Sequence, residues 1–139
     1  MRCLGLDLGT KTLGIAISDK SNIISSPYKV LRWDGENYDL LFGDLDGILE
    51  ENSITDLVLG LPKNMNNSIG FAGERSISFK KLLEDKINLE VILEDERLSS
   101  VEANNIMIKS DVSRNKRKKK VDGLAATIIL QRYLDRKDK

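Results

Sequence analysis

The chain has 139 residues, of which 40% are apolar and 32% charged, and this size and composition predict one soluble domain with a substantial core. It contains one cysteine and no histidine, which excludes an intramolecular disulfide, histidine-ligated zinc and a Ser-His-Asp triad. Any catalysis must therefore use carboxylates, lysines, hydroxyls or a hard metal ion. No segment approaches the ~20 apolar residues of a membrane span, and no leader precedes the first strand-like run, so we expect a cytoplasmic protein.

Charge is unevenly distributed along the chain, although the net charge is zero. Residues 1–100 hold 11 Lys/Arg and 17 Asp/Glu, a net charge of −6, whereas residues 101–139 hold 11 and 5, a net charge of +6. Six cations occupy the seven positions Arg114–Lys120, which we call the basic tract. This asymmetry predicts an anionic partner, and a solvated loop is the alternative explanation of the tract.

The first 18 residues predict a strand, a tight turn at Gly9–Lys11 and a returning strand. Leucines alternate along the first strand, so Asp7 lies on the face opposite to them, together with Cys3 and Gly5. A carboxylate in the body of a central strand requires compensation by positive charge unless that face is solvated. Gly5 predicts room for a ligand close to the backbone.

Further elements follow in chain order. They are a strand at Ile23–Trp33 that Pro27 makes an edge or a bulge, a helix at Glu36–Glu51, a strand at Thr55–Leu61, a polar loop at Asn64–Gly70, a helix at Phe71–Lys86, a strand at Leu89–Leu93, a helix at Ser99–Lys109, a mobile segment at Ser110–Lys120, and a last helix from Val121 to Tyr133 or Leu134. Short turns make the first three strands antiparallel, and helical crossovers make the later two parallel. The predicted class is α/β, with a five-stranded mixed sheet flanked by helices in one domain spanning residues 1–139.

Three acids are candidates for a shared site at the carboxyl ends of the parallel strands. Asp7 lies in the first strand, Glu96 follows the fifth, and Asp122 opens the last helix, where the helix dipole also favours a carboxylate. Clustered carboxylates repel one another unless cations neutralise them. Mg²⁺ or Mn²⁺ ions, most simply a pair, would do so and would support phosphodiester hydrolysis without histidine.

Four motifs carry a family resemblance over nearly the whole chain. They are Asp7–Ala16 (DLGTKTLGIA), Gly60–Met65 (GLPKNM), Asp95–Ala103 (DERLSSVEA) and the final Asp122–Ala126 (DGLAA) with Ile129–Leu134 (ILQRYL). In this order and chain size they resemble the YqgF/RuvX family, the Holliday-junction-resolvase-like proteins also described as pre-16S ribosomal RNA nucleases. Asn66 and Asn67 depart from the family pattern, and the basic tract is denser than is usual in it.

The resemblance implies a ribonuclease-H-like fold, a bacterial cytoplasmic location and nuclease action on the 5′ end of small-subunit ribosomal RNA. It also implies that Asp7, Glu96 and Asp122 are the catalytic, metal-binding acids. We expect Asp7 to bridge two metal ions and Asp95 to point away from them. Phosphate contacts are assigned to the cations Lys11, Arg97, Arg114, Lys116, Arg117, Lys118, Lys119 and Lys120. The alternative is a pair with a neighbouring acid for Arg97 and a solvated side chain for the others.

Three other functions remain open at this stage. An actin–hexokinase-like phosphate-binding module shares the first hairpin signature but needs two such domains, which this length does not supply. A non-catalytic nucleic-acid-binding assembly factor could keep the same fold. Within the nucleases, a resolvase of branched DNA would act as a symmetric homodimer, to which the Asn66–Phe71 loop and the Ser99–Lys109 helix could contribute. The aromatic residues Tyr28, Trp33 and Tyr38 are expected to pack rather than to stack on bases.

Overall fold

The computed structural model describes residues 2–62, 69–95 and 114–137, with side chains in the last range at residues 124–136. Eight elements follow in chain order: β1 Arg2–Leu8, β2 Thr12–Ser18, β3 Ser25–Arg32, α1 Asp39–Asn52, β4 Ile54–Leu61, α2 Phe71–Ile87, β5 Val91–Asp95 and α3 Arg114–Lys137. The predicted helix at Ser99–Lys109 and most of the predicted Asn64–Gly70 loop lie outside these ranges. Within them, no helix has the length and apolarity to cross a membrane.

The five strands form one mixed sheet in the order β3-β2-β1-β4-β5. Strand β2 runs antiparallel to both β1 and β3, whereas β1, β4 and β5 are parallel neighbours. This arrangement confirms the predicted three antiparallel strands followed by two parallel ones. Because β1, β4 and β5 run in the same direction, their carboxyl ends lie at one edge of the sheet. We call it the carboxyl edge.

Each face of the sheet carries its own core. Leu4, Leu6 and Leu8 of β1 pack on one face against the helices α1 and α2, whose buried residues there include Leu45 and Phe79. On the other face α3 supplies a smaller core, in which Cys3, Val58, Ala126, Ile129 and Leu130 are buried together. The alternation predicted for β1 is thus confirmed, and Asp7 lies on the face that α3 covers.

Helix α3 packs directly against the backbone at Gly5. The prediction that Gly5 leaves room for a ligand is therefore wrong. A Cβ atom at Gly5 would lie 2.7 Å from the Cβ atom of Leu130 and 3.1 Å from the carbonyl oxygen of Ala126. Real Cβ atoms do not approach other atoms this closely, so α3 occupies the space that the missing side chain leaves. A strand pattern alone cannot distinguish close approach of a ligand from close approach of another backbone element.

Pro27 lies in an edge strand at an irregularity of the ladder, as its sequence position predicts. Strand β3 is the terminal strand of the sheet, and its register against β2 shifts between Ile15 and Ala16, where Ala16 is opposite Pro27. Proline has no N–H to donate to a ladder, so it is tolerated at an edge or a bulge. Here both conditions hold.

The last helix begins at Arg114, whereas the sequence predicted a mobile segment to Lys120 and a helix from Val121. Lysine and arginine are good helix formers, and the apolar residues that follow anchor the helix on the sheet, so the tract extends the helix despite its charge. Asp122 is consequently the ninth helical residue rather than part of the first turn. The predicted stabilisation of Asp122 by the helix dipole is therefore wrong, because that effect is confined to the first turn.

Glu84 links α2 to β5 and gives the fold a pH-dependent contact. One of its carboxylate oxygens accepts a hydrogen bond from the Val91 N–H at 2.9 Å, and the other lies 3.0 Å from the Lys80 Nζ atom. The Val91 N–H and then Lys80 lower the pKa of Glu84 below its ordinary value of 4.5. A lowered pKa means that the stabilisation is fully present above the ordinary pKa and is lost as the pH falls through the folded-state value.

We therefore expect Glu84→Gln to lower the free energy of unfolding at pH 7 by up to about 1 kcal/mol. At an acidic pH low enough to neutralise the wild-type carboxyl as well, the difference between the two proteins should shrink. Urea denaturation at both pH values measures the effect, with the exposed Glu90→Gln as a control. A difference that is equal at both pH values would contradict this account.

Candidate active site

Asp7 is the central residue of the candidate site. It precedes the last residue of β1 and is 9% exposed, on the sheet face covered by α3. Its position near the carboxyl edge follows from the direction of β1, which strand pairing on both sides fixes. A carboxylate this deeply buried keeps its charge only where cations or hydrogen-bond donors surround it.

The residues level with Asp7 on neighbouring strands include two glycines. Gly14 is opposite Asp7 on β2. On β4 the pairing of Leu6 with Leu59 places Gly60 beside Asp7, and Gly60 in turn pairs with Glu94 of β5. Since paired residues share a face, Glu94 and Asp7 lie on the same face, two strands or about 10 Å apart between Cα atoms.

Glu96, the second predicted acid, lies outside the described residues. Strand β5 ends at Asp95 in the described range, where Asp95 pairs with Leu61. By strand alternation Asp95 lies on the face opposite to Glu94, which agrees with the prediction that it points away from the site. A chain that stayed extended for one more residue would return Glu96 to the face of Asp7.

Asp122, the third predicted acid, is described by its backbone only. Helix α3 passes over Gly5 at Ala126 and Leu130, and further along the Tyr133 hydroxyl donates to Asp56 Oδ2 at 3.1 Å. Asp122 thus belongs to the helix that covers the sheet face on which Asp7 lies.

These acids are suitable ligands for a hard divalent cation. Carboxylate oxygens are the donors that Mg²⁺ and Mn²⁺ prefer, and burial of Asp7 near the carboxyl edge provides one such donor in a largely water-excluded position. No group of three metal-binding side chains is found among the described residues, which include the side chain of Asp7 but not those of Glu96 and Asp122. The donor set that the sequence proposes thus fits a metal chemically.

Lys11 lies in the turn between β1 and β2, at the same edge as Asp7, and its side chain is exposed. The turn is held by a hydrogen bond from the Gly9 N–H to the Thr12 carbonyl at 2.8 Å, and by another from the Trp33 N–H to the Lys11 carbonyl at 3.0 Å. These bonds hold the backbone of Lys11 at this edge, and its contact with a phosphate stays a prediction. The structure does not describe Arg97 or the side chains of the basic tract, so these contacts stay predictions.

Glu94 and Arg136 form an ion pair that the sequence interpretation missed. Arg136 of α3 pairs with a carboxylate oxygen of Glu94, whose side chain is 11% exposed. Nearby, the Arg132 guanidinium donates to the Asp95 carbonyl at 3.3 Å. Both contacts attach α3 to β5 on the face of the candidate site. Neither segment carries a signal for this pair, because the approach depends on how α3 crosses the sheet.

The architecture belongs to the resolvase-like branch of the ribonuclease H fold. The Thermus thermophilus RuvC structure solved with a Holliday junction substrate aligns over 99% of this chain and 96% of its own, with a TM-score of 0.60 and 11% identity. The fowlpox virus resolvase, solved with Holliday junction DNA, aligns over 100% of both chains, with a TM-score of 0.61 and 17% identity. At these identities the likeness establishes the fold.

Sequence comparison then identifies the family. Residues 1–136 match the family described as "RuvX: Holliday junction resolvase", and the chain belongs to it. A Bacillus pumilus protein is 48% identical over 135 residues, covering 97% of this chain and 98% of its own, and one from Staphylococcus haemolyticus is 47% identical over 135 residues, covering 96% and 95%. Both carry the name "Putative pre-16S rRNA nuclease". The resemblance inferred from the four motifs is confirmed, and the actin–hexokinase alternative is set aside.

Proposed function

We propose that this protein is a cytoplasmic, divalent-metal-dependent nuclease that processes the 5′ end of pre-16S ribosomal RNA. The observation that carries the proposal is the buried Asp7 near the carboxyl edge, on the sheet face that the helix carrying Asp122 covers. The names of relatives at 47–48% identity support the substrate class. The fold supports nuclease chemistry in general and leaves the choice between RNA and branched DNA to experiment.

Asp7, Glu96 and Asp122 would hold Mg²⁺ or Mn²⁺ in this proposal. When bound, such ions neutralise the carboxylates and stabilise the charge that develops on the phosphate oxygens. Rigid elements hold two of the three acids, because Asp7 belongs to a strand paired on both sides and Asp122 to a helix packed on that strand. Such support preserves a ligand geometry better than mobile loops do. Lys11 would hold a neighbouring phosphate of the substrate.

The decisive experiment compares three substrates under otherwise identical conditions. Purified protein is incubated with Mg²⁺ or Mn²⁺ and a precursor RNA containing the 5′ end of 16S rRNA, a single-stranded DNA of the same sequence, or a four-way DNA junction. We expect metal-dependent cleavage of the RNA in preference to both DNAs. Preferential symmetric cleavage of the junction would favour the resolvase alternative and a homodimer, and binding without cleavage of any substrate would favour a non-catalytic assembly factor.

The basic tract should contribute salt-dependent affinity for RNA. Its backbone lies in the first two turns of α3, and positions distributed around a helix axis cannot all meet one RNA strand, so we count about half of the six cations. Replacing all six by glutamine should therefore lower the log–log salt slope of binding to single-stranded RNA by ~2, at ~0.7 per neutralised phosphate. Fluorescence anisotropy between 50 and 300 mM KCl measures it. Lys81→Gln, on the exposed side of α2, is the control, and an unchanged slope in the tract variant would remove the tract from the interface.

A further inference from the structure

A groove of about 640 Å³ lies between the start of α1 and the second half of α2. These helices cover the sheet face opposite α3, so the groove is separate from the Asp7 face. It is lined by Glu36, Asn37, Tyr38, Asp39, Phe42, Leu82, Asp85 and Lys86. Leu82 is 46% exposed, and nearby Leu40 is 71% exposed. Large apolar side chains exposed beside a concave surface are typical of an interaction site.

The charge of the groove selects the class of its occupant. Among the described residues, three acids, Glu36, Asp39 and Asp85, line it against one cation, Lys86. Helix α1, which forms one wall, contains acidic residues at five of 14 positions and no lysine or arginine. A phosphodiester backbone would be repelled by this surface, whereas a cationic segment would be attracted to it and oriented by it.

Hydrogen bonds from side chains to the backbone hold the turn that leads into one wall of the groove. Asp34 Oδ1 accepts hydrogen bonds from the backbone N–H groups of Glu36 at 2.8 Å and Asn37 at 2.9 Å, and these two bonds lower the pKa of Asp34. Asn37 Oδ1 in turn accepts from the Asp39 N–H at 2.9 Å. A surface that is already ordered loses little conformational entropy when a partner binds, so more of the contact energy appears as affinity.

The floor of the groove is aromatic and equally well supported. The ring centroids of Tyr38 and Phe42 are 5.9 Å apart, and Phe79 packs beneath them at 5.0 Å from Tyr38 and 5.6 Å from Phe42. The methylene stems of lysine and arginine cover apolar surface of this kind, while their charged ends reach the surrounding carboxylates. A cation near a tyrosine or phenylalanine face gains further attraction from the ring.

We propose that this groove binds a lysine- and arginine-rich protein segment with interspersed aliphatic residues. Its aliphatic side chains would cover Leu82, and its cations would meet Asp39 and Asp85. The proposal does not depend on the nuclease assignment, because the groove shares no residue with the candidate active site. The two sites together would let the protein hold a basic protein on one sheet face while the other face handles nucleic acid.

The test uses a fluorescent 12-residue peptide of repeated Lys-Arg-Leu, a second peptide in which glutamate replaces the cations, and full-length protein. Binding is followed by anisotropy at 50 and 300 mM KCl. The groove variant is Asp39→Lys with Asp85→Lys. The matched control is Asp44→Lys with Glu50→Lys, which makes the same charge change on the exposed face of α1, outside the groove. A peptide of residues 112–121 tests whether the basic tract of a second copy is an occupant.

We expect the wild type to bind the basic peptide and not the acidic one, and the groove variant to lose about tenfold in affinity, equivalent to ~1.4 kcal/mol. The control should lose much less, and RNA cleavage should be unchanged in both variants. Equal losses in the two variants, or no binding by the wild type, would overturn the proposal. Two further results would also overturn it. The first is self-association through the groove that the 112–121 peptide blocks, while the Lys-Arg-Leu peptide does not bind. The second is an RNA affinity that changes in the groove variant.

Discussion

Asp7→Asn is expected to abolish metal-dependent cleavage of precursor RNA, with a loss of at least ~100-fold in rate, while the protein stays folded. The physical reason is that an amide keeps the size of the side chain but supplies one neutral oxygen instead of a charged carboxylate, and outer-shell changes alone already reduce metal affinity or activity by ~10–100-fold. Because the amide keeps the volume of this buried side chain, we expect the variant to fold.

Metal-dependent stabilisation provides a measurement that does not rely on activity. A ligand present at 100 times its dissociation constant stabilises the folded state by about 2.7 kcal/mol. Mg²⁺ or Mn²⁺ should therefore raise the melting temperature of the wild type and leave that of Asp7→Asn nearly unchanged. Equal stabilisation of the two proteins by metal, together with equal cleavage, would rule out the proposed role of Asp7.

Asp56→Asn is the matched control for this experiment. Asp56 pairs with Cys3 near the opposite edge of the sheet, on the face that carries Asp7, and accepts a hydrogen bond from the Tyr133 hydroxyl. Its replacement should lower stability by roughly 1 kcal/mol through the weakened hydrogen bond. It should leave cleavage close to the wild-type rate. Comparing the cleavage rates of the two variants shows whether cleavage depends on Asp7 in particular or on any acid of this sheet face.

Gly5→Ala is expected to destabilise the fold by about 1–3 kcal/mol, because one added methyl group overpacks the contact between β1 and α3. The new Cβ atom would lie 2.7 Å from Leu130 and close to the backbone of Ala126, so relief requires movement of the helix itself. Since α3 also carries Asp122, cleavage should fall together with stability. Urea denaturation and the cleavage assay measure the two effects.

Two further variants test the steric explanation. Leu130→Gly removes the Cβ atom that the new methyl group would meet. Alone it should cost at least ~2–5 kcal/mol, but the double variant should be more stable than the sum of the single losses predicts, by ~0.5–3 kcal/mol. Gly43→Ala should change stability in the opposite direction from Gly5→Ala. Nothing lies within 4 Å of a Cβ atom at this exposed position in α1, so the added methyl group meets no obstacle. It should raise the free energy of unfolding by about 0.5–1 kcal/mol. Additive losses at Gly5 and Leu130 would contradict direct contact between them.

Much of the sheet could be predicted because its signals are local. Alternation places Asp7 opposite Leu4 and Leu6 within a single strand, and Pro27 marks an edge strand through its own missing N–H. The motifs around Asp7 and Asp122 likewise identified the family before any coordinates were considered. Each of these inferences rests on residues that are neighbours in the chain.

The start of α3 differs from the prediction, because the prediction considered only the charge repulsion between the six cations of the basic tract. Six adjacent cations suggest a mobile segment, yet the same residues have high helix propensity and continue into a helix that is anchored on β1 and β2. The ion pair of Glu94 with Arg136 was missed for a related reason. Their approach depends on how α3 crosses the sheet, and nothing within either segment specifies that crossing.

By itself, the sequence determined the order of strands and helices, the face on which Asp7 lies, the family, and the absence of histidine chemistry. Only the tertiary structure decided that α3 packs against Gly5, that this helix covers the sheet face of Asp7, and that an acidic groove forms on the opposite face. The physical reason is distance along the chain. Alternation and turn chemistry act between near neighbours, whereas the docking of α3 and of α1 against α2 depends on side chains that meet only after the sheet has assembled.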